Sequence, residues 1–198
     1  PATWKDTQVD LAIDHCRQRI NPEARWCVVG ESVAIHPAVA FPLTRQAGRN
    51  ALLVGATDTQ AASVLHAVAC SLARDGSRIF AVQGARPTDA QVLGLPERWR
   101  RMGVDLRVAD DRGAAELLRE VHRMLQQANE DSAEPPESRG TTLLCLLQLG
   151  RLRSLRREEE FSFGESELTP DKLLEEILRD GPSVGVHTVI WGDGYSTV

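Results

Sequence analysis

Short apolar runs alternate with longer amphipathic stretches along this chain. Runs at residues 26–30, 50–55, 78–83, 141–147 and 186–191 have the length and apolar density of strands, and the run at 50–55 reads as a strand buried on both faces. The run at 141–147 is the most apolar and reads as the most deeply buried of all. At 104–108 the pattern alternates through Val104, Leu106 and Val108, which predicts a further strand. A second extended segment is expected at 32–41, limited in length by Pro37 and Pro42.

Between these runs the apolar spacing becomes helical. Ala62, Leu65, Val68, Ala69 and Leu72 predict a helix that stops at Asp75 and Gly76. A short helix is expected within 88–101. Asp110 or Asp111 is placed to cap a helix whose inner face carries Ala114, Leu117, Leu118, Val121 and Leu125. Thr169 followed by Pro170 is a helix start, with a capping hydroxyl and proline at the first helical position. Leu173, Leu174, Ile177 and Leu178 give that helix its apolar face, and Gly181 with Pro182 is expected to end it. Val9, Leu11 and Ile13 suggest a short helix in residues 1–20, packed on the domain. Residues 129–140, charged and containing Pro135 and Pro136, read as a surface loop. The alternation predicts βαβ units, a mostly parallel sheet and helices on both of its faces, an α/β fold. No internal repeat is visible.

Bulk properties narrow the class. With 198 residues, 42% hydrophobic and 26% charged, the chain suits one domain, or one domain with an added segment, and can bury a core without disulfides or metals. The formal net charge of -5 carries no global signal for nucleic acid. Cys16, Cys27, Cys70 and Cys145 are scattered, with no CxxC pair, and read as free thiols in a reducing compartment. Cys70 and Cys145 sit in apolar runs and are expected in the core. No apolar stretch reaches the roughly 18 residues that a membrane helix needs, and a cytoplasmic setting is expected with no membrane contact by this segment.

The chemistry that a strand–turn–helix can do is concentrated at 50–74. Free N–H groups and the helix dipole make a helix N-terminus an anion site. The phosphate-binding form, GxxxxGK[ST], adds a wrapping backbone, a lysine for the β/γ oxygens and a hydroxyl for magnesium. Here the eight positions are Gly55, Ala56, Thr57, Asp58, Thr59, Gln60, Ala61 and Ala62. Only the first glycine is kept. Read from the residues alone, this is a weak motif, and a βα turn without a ligand is the plainer reading.

Three segments carry a family resemblance. LLVGATDTQAASVLHAVACSLA (52–73) is similar to the P-loop strand and helix of FtsK/SpoIIIE-type translocases. LLCLLQLGRLRSL (143–155) resembles their Walker B strand and the stretch after it. GPSVGVHTVIWGDG (181–194) resembles the next strand of that group, and 26–41 the extended segments that precede the P-loop. The resemblance implies a three-layer RecA-like P-loop NTPase fold over residues 26–198, with 1–25 as a helical extension and at least one more core strand beyond the last residue. It implies an ATP-hydrolysing parent family that moves DNA or protein. Neighbouring ATPase modules or subunits of the same system are the implied partners, in an oligomer, with DNA met through the parent protein.

The chain departs from that pattern at every alignable catalytic position. Gln60, Ala61 and Ala62 stand where the glycine, lysine and hydroxyl belong. Leu147 and Gln148 stand where the Walker B aspartate and glutamate belong, and Gly192, Asp193 and Gly194 replace the Thr-Gln-Arg of the sensing segment. The expectation is a degenerate module of a multi-domain member, without hydrolysis and without a bound cofactor, architectural or regulatory in role. ATP and magnesium enter only under the rival reading of a motor with an unorthodox site. The remaining rivals are a binder of another anion after Gly55 and an interaction module with an empty pocket. His66, His122 and His187 read as isolated histidines. Arg151, Arg153, Arg156 and Arg157 form a basic run that either meets phosphate or an acidic partner, or is a solvated face offset by Glu158–Glu160. Trp99 among Arg98, Arg100 and Arg101 either lines a subunit contact or is half-buried under snorkelling arginines.

Overall fold

The computed structural model describes residues 6–21, 24–30, 38–55, 57–73, 76–86, 88–130, 140–156 and 168–194. In chain order the elements are α1 (Asp6–Arg19), β1 (Arg25–Gly30), β2 (Val39–Leu43), β3 (Ala51–Val54), α2 (Asp58–Ala73) and β4 (Arg78–Gln83). They continue with α3 (Ala90–Leu93), α4 (Leu95–Arg101), β5 (Asp105–Asp110), α5 (Ala114–Glu130), β6 (Thr142–Leu147), α6 (Pro170–Val184) and β7 (Val186–Gly192).

Five strands pair in parallel in the order β3-β7-β6-β4-β5. The central strand β6 is buried at every position, because it has a strand on each side and helices over each face. Leu143, Cys145 and Leu147 face one core with α2, α3 and α4. Leu144 and Leu146 face the other, with α5 and α6. A strand covered on both faces must be apolar at successive positions, and this is why 141–147 stands out in the sequence. The edge strand β5 shows the alternation expected of it.

The other edge strand corrects an expectation. β3 reads in the sequence as buried on both faces, yet Leu52 is 50% exposed. Among the described residues β3 pairs only with β7. Short apolar runs look the same at the edge and at the centre, since position in the sheet is set by the crossovers and not by the run itself.

β1 and β2 form a separate antiparallel pair. Trp26 and Val28 of β1 pack with Ala12, Ile13 and Cys16 of α1. Ser71 of α2 ties the pair to the main domain by accepting the Val28 N–H at 3.0 Å. β2 includes Pro42, opposite Trp26. A proline is tolerated there because a two-stranded pair leaves an outer edge with no ladder bond to lose. Residues 31–37, with Pro37, lie outside the described residues, as do 131–139 of the expected loop; α5 runs on to Glu130. The single helix expected at 88–101 is two, joined at Gly94. Asp110, rather than Asp111, caps the turn into α5: its Oδ1 accepts the N–H groups of Arg112 at 3.1 Å and Gly113 at 3.0 Å.

The main departure from the sequence pattern is α6. Thr169 has the extended backbone of a capping residue, but its hydroxyl makes no capping bond. Pro182, expected to end the helix, lies inside it. Proline has no N–H, so the Leu178 carbonyl loses its donor four residues on. Asn50 supplies the replacement, its Nδ2 donating to the Leu178 carbonyl at 2.8 Å. The same side chain accepts the Thr188 N–H through Oδ1 at 2.9 Å. One amide thus completes the helix and joins it to β7. Gly181 lets the two approach, since a Cβ there would sit 2.7 Å from the Val186 carbonyl. The helix ends at Gly185, in the left-handed conformation (φ 89) that favours glycine.

These contacts set the response to substitution and to pH. Asn50→Ala strands an acceptor and a donor, and urea unfolding is expected to show a loss of about 2–3 kcal/mol. In a Pro182→Ala background the restored N–H serves Leu178, so the same substitution costs less; equal losses in both backgrounds would refute the bridging role. His187 is buried, its Nδ1–H donating to the Arg49 carbonyl at 2.9 Å. Burial holds its pKa below the ordinary histidine value, reinforced by Arg45 and opposed by the Arg49 bond. The unfolded chain therefore takes up this proton first. Its contribution is complete above about pH 6.5 and declines as the pH falls through that value. Unfolding free energy measured from pH 7.5 down to 5.5 should fall in the native protein and fall less steeply in His187→Asn.

Candidate functional site at the carboxyl edge of the sheet

In a doubly wound sheet the ligand crevice lies beyond the carboxyl ends of the strands, where neighbouring crossovers leave to opposite faces. Here β4 leaves through α3 and α4 on the α2 side, while β6 leaves through α6 on the other side. The carboxyl ends of β3, β7, β6 and β4 carry Gly55, Gly192 and Asp193, Gln148, and Gly84, so the sequence-singled positions after β3, β6 and β7 converge on one edge.

At β3 the turn is short. Gly55 and Thr57 precede α2, which already begins at Asp58; Ala56 lies outside the described residues. The Thr57 carbonyl accepts the Ala61 N–H at 3.1 Å, so Thr59 and Gln60 belong to the first helical turn and not to a loop. Ala61 and Ala62 are buried in the core between α2 and the sheet. Asp58 is the acid of the first turn, where a negative charge offsets the helix dipole and opposes a second anion. The backbone of Gly55 is also engaged. Its N–H donates to the Gly192 carbonyl at 3.0 Å, and its carbonyl accepts the indole N–H of Trp191 at 3.0 Å. Trp191 is fully buried against the underside of this turn.

The β6 end is closed just as tightly. Leu147 is core, packed on the α2 side. Gln148 is buried and takes a left-handed backbone (φ 66); its Oε1 has no hydrogen-bond partner among the described residues. The Gly84 N–H donates to the Leu147 carbonyl at 2.8 Å. A Cβ at position 84 would lie 2.8 Å from the Gln148 carbonyl, so the backbones of β4 and β6 meet where a crevice would open.

Arg151 spans this edge from the 3₁₀ turn after β6 (Leu149–Arg151). Its guanidinium bonds Asp89 at 2.9 Å, in the loop after β4, and Asp193 at 3.4 Å, after β7. The same Asp89 oxygen accepts the Arg86 N–H at 2.7 Å. Farther along, Asp111 Oδ1 accepts the Ser154 N–H at 3.0 Å and its hydroxyl at 2.8 Å. The expected basic run therefore divides. Arg151 is paired internally, Arg156 donates to the Gly150 carbonyl at 3.1 Å, and Arg157 with Glu158–Glu160 lies outside the described residues.

The remaining candidates resolve into structure. Trp99 is neither a surface contact nor half-buried; it is wholly within the core. Arg98 donates to the Gln91 carbonyl beside it, and Arg101 pairs with Glu97 at 3.2 Å. His122 Nε2–H donates to Glu176 at 2.6 Å and joins α5 to α6. Cys145 is buried as expected, while Cys70 is only half-buried. Among the described residues no three histidine, cysteine or carboxylate side chains gather where they could hold a metal ion. No helix among them is long and apolar enough to cross a membrane. Sequence reasoning missed the Trp191 clamp and the two acids on Arg151. Both join residues far apart in the chain and leave no local signature.

No protein-family model matches the chain, and no curated protein matches it in sequence. Solved structures do match in fold. The cytoplasmic domain of the Type VII secretion ATPase EccC of Thermomonospora curvata is 15% identical, with a TM-score of 0.54, over 88% of this chain and 22% of that one. The pCW3 conjugation coupling protein TcpA, determined with ATPγS, is 13% identical, with a TM-score of 0.54, over 85% and 48%. The cytoplasmic domain of EssC is 14% identical, with a TM-score of 0.57, over 98% and 35%. The chain thus spans less than half the length of each. At such identities the likeness is one of architecture: a parallel five-stranded sheet between helical layers, the RecA-like P-loop ATPase fold.

Proposed function

We propose that this chain is a non-hydrolysing module of a larger FtsK/SpoIIIE-type assembly, with residues 26–198 as the module and 1–25 as its helical extension. Its role is architectural or regulatory, beside ATP-hydrolysing modules or subunits of the same system. The observation that carries the reading is the β3–α2 turn. Its lysine and hydroxyl positions are Ala61 and Ala62, buried in the core, and its first helical turn presents Asp58. Phosphoryl transfer depends almost wholly on positioning and charge stabilisation. Loss of one charge-assisted partner in a desolvated site costs about 2–5 kcal/mol, and here the cation, the metal-holding acid and the water-polarising acid are replaced together. The neighbours, a secretion ATPase and a conjugation coupling protein by description, support a setting in a multi-part transport system on the cytoplasmic side. Protein and DNA are both in keeping as cargo of the whole.

Calorimetric titration with ATP, with and without magnesium, alongside a phosphate-release assay, tests the reading. The expected result is no saturable binding below the millimolar range and no turnover. Magnesium-dependent binding in the micromolar range with stoichiometric hydrolysis would instead establish a motor with an unorthodox site.

A further inference from the structure

The seam between α2 and α4, apart from the carboxyl edge, gathers three soft donor atoms. His66 and Cys70 stand one turn apart on α2, a spacing that puts their side chains on one face. Met102 comes directly after α4. His66 Nε2 lies 3.7 Å from Cys70 Sγ, and Cys70 Sγ lies 3.7 Å from Met102 Sδ. On the α4 side Met102 follows the fully buried Trp99, whose carbonyl accepts the Met102 N–H at 3.1 Å.

We propose that His66, Cys70 and Met102 form a three-coordinate site for a soft monovalent cation of the Cu(I) class. Size supports this. With metal–nitrogen bonds of about 2.0–2.1 Å and metal–sulfur bonds of about 2.3 Å, a trigonal ion holds nitrogen and sulfur about 3.8 Å apart and two sulfurs about 4.0 Å apart. The ligand-free spacings are already close to both. The flexible, 37% exposed Met102 side chain can swing to close the triangle. Donor type supports it as well, since thiolate and thioether select Cu(I) among the common biological metals and a thioether adds nothing for zinc.

Charge narrows the ion further. On binding, the Cys70 thiol releases its proton to solvent. One thiolate, one neutral imidazole and one thioether then balance a single positive charge. A neutral imidazole has one ring lone pair to give, and His66 presents Nε2 toward Cys70. A divalent ion would leave net positive charge beside Arg98.

The test is anaerobic competition of the reduced protein against a chromophoric Cu(I) chelator, bicinchoninate. The protein is expected to withdraw one equivalent of copper. Cys70→Ser should abolish this, and Met102→Leu, at a partly exposed position where folding is undisturbed, should weaken binding. X-ray absorption of the loaded protein should show one nitrogen and two sulfur neighbours. Thermal melts of both variants confirm that they fold. Failure to withdraw copper overturns the site. So does equal affinity of Cys70→Ser, which would place the copper on Cys16, Cys27 or Cys145, and so does equal affinity of Met102→Leu.

Discussion

The hydrogen bond from the Trp191 indole to the Gly55 carbonyl organises the end of the molecule where this kind of sheet binds ligands. A buried indole N–H needs an acceptor, and here it takes the first carbonyl after β3. The Gly55 N–H is meanwhile engaged with Gly192 on the neighbouring strand. With both backbone groups of Gly55 committed, the chain turns at once, and α2 is formed from Asp58 onward. Early helix formation points Ala61 and Ala62 into the core and leaves Asp58 at the helix mouth. A phosphate-binding turn needs its backbone N–H groups turned outward, toward a ligand. In this turn Gly55 turns its N–H to the adjacent strand.

The same economy governs the opposite end of β7. Asn50, just ahead of β3, serves the helix carbonyl that Pro182 leaves without a donor and the strand N–H of Thr188. His187 reaches the Arg49 carbonyl from the next position. β3 and β7 are therefore joined by side chains at both ends as well as by their ladder. This matters because β3 has a strand on one side only, and an edge strand of four residues has few ladder bonds of its own. Removing the polar anchors would be felt in the sheet before it was felt in the helices.

How far the sequence reveals this depends on the range of each interaction. Element order is legible because strand and helix periods are local, and Leu143 to Leu147 or Leu117 to Leu125 declare their faces by spacing alone. The exposure of Leu52 is not legible, since it depends on which strands β3 meets. Pro182 misleads because the helix-breaking rule concerns a missing donor, and the substitute donor lies 132 residues earlier. Trp99 misleads because an aromatic flanked by arginines looks alike at a surface and over a core. At the candidate site the residue types at 55–62 and 147–148 can be read directly from the chain. The Arg151 network cannot, because Asp89 and Asp193 come to it from different strands.

The carboxyl edge also has a sign. Arg151 is the cation set between β4, β6 and β7, and it is shared by Asp89 and Asp193. Asp58 stands at the next helix mouth. Those four side chains sum to two negative charges. A polyphosphate drawing on Arg151 would have to break its pairs with Asp89 and Asp193 and would meet both carboxylates beside it. In a partly buried network that exchange is unfavourable twice over, through the lost pairs and through the new repulsion. The arginine that looks in sequence like a phosphate ligand thus acts in the fold as a tie between the loops after β4 and β7. This favours a module whose edge stays closed over one that opens for nucleotide.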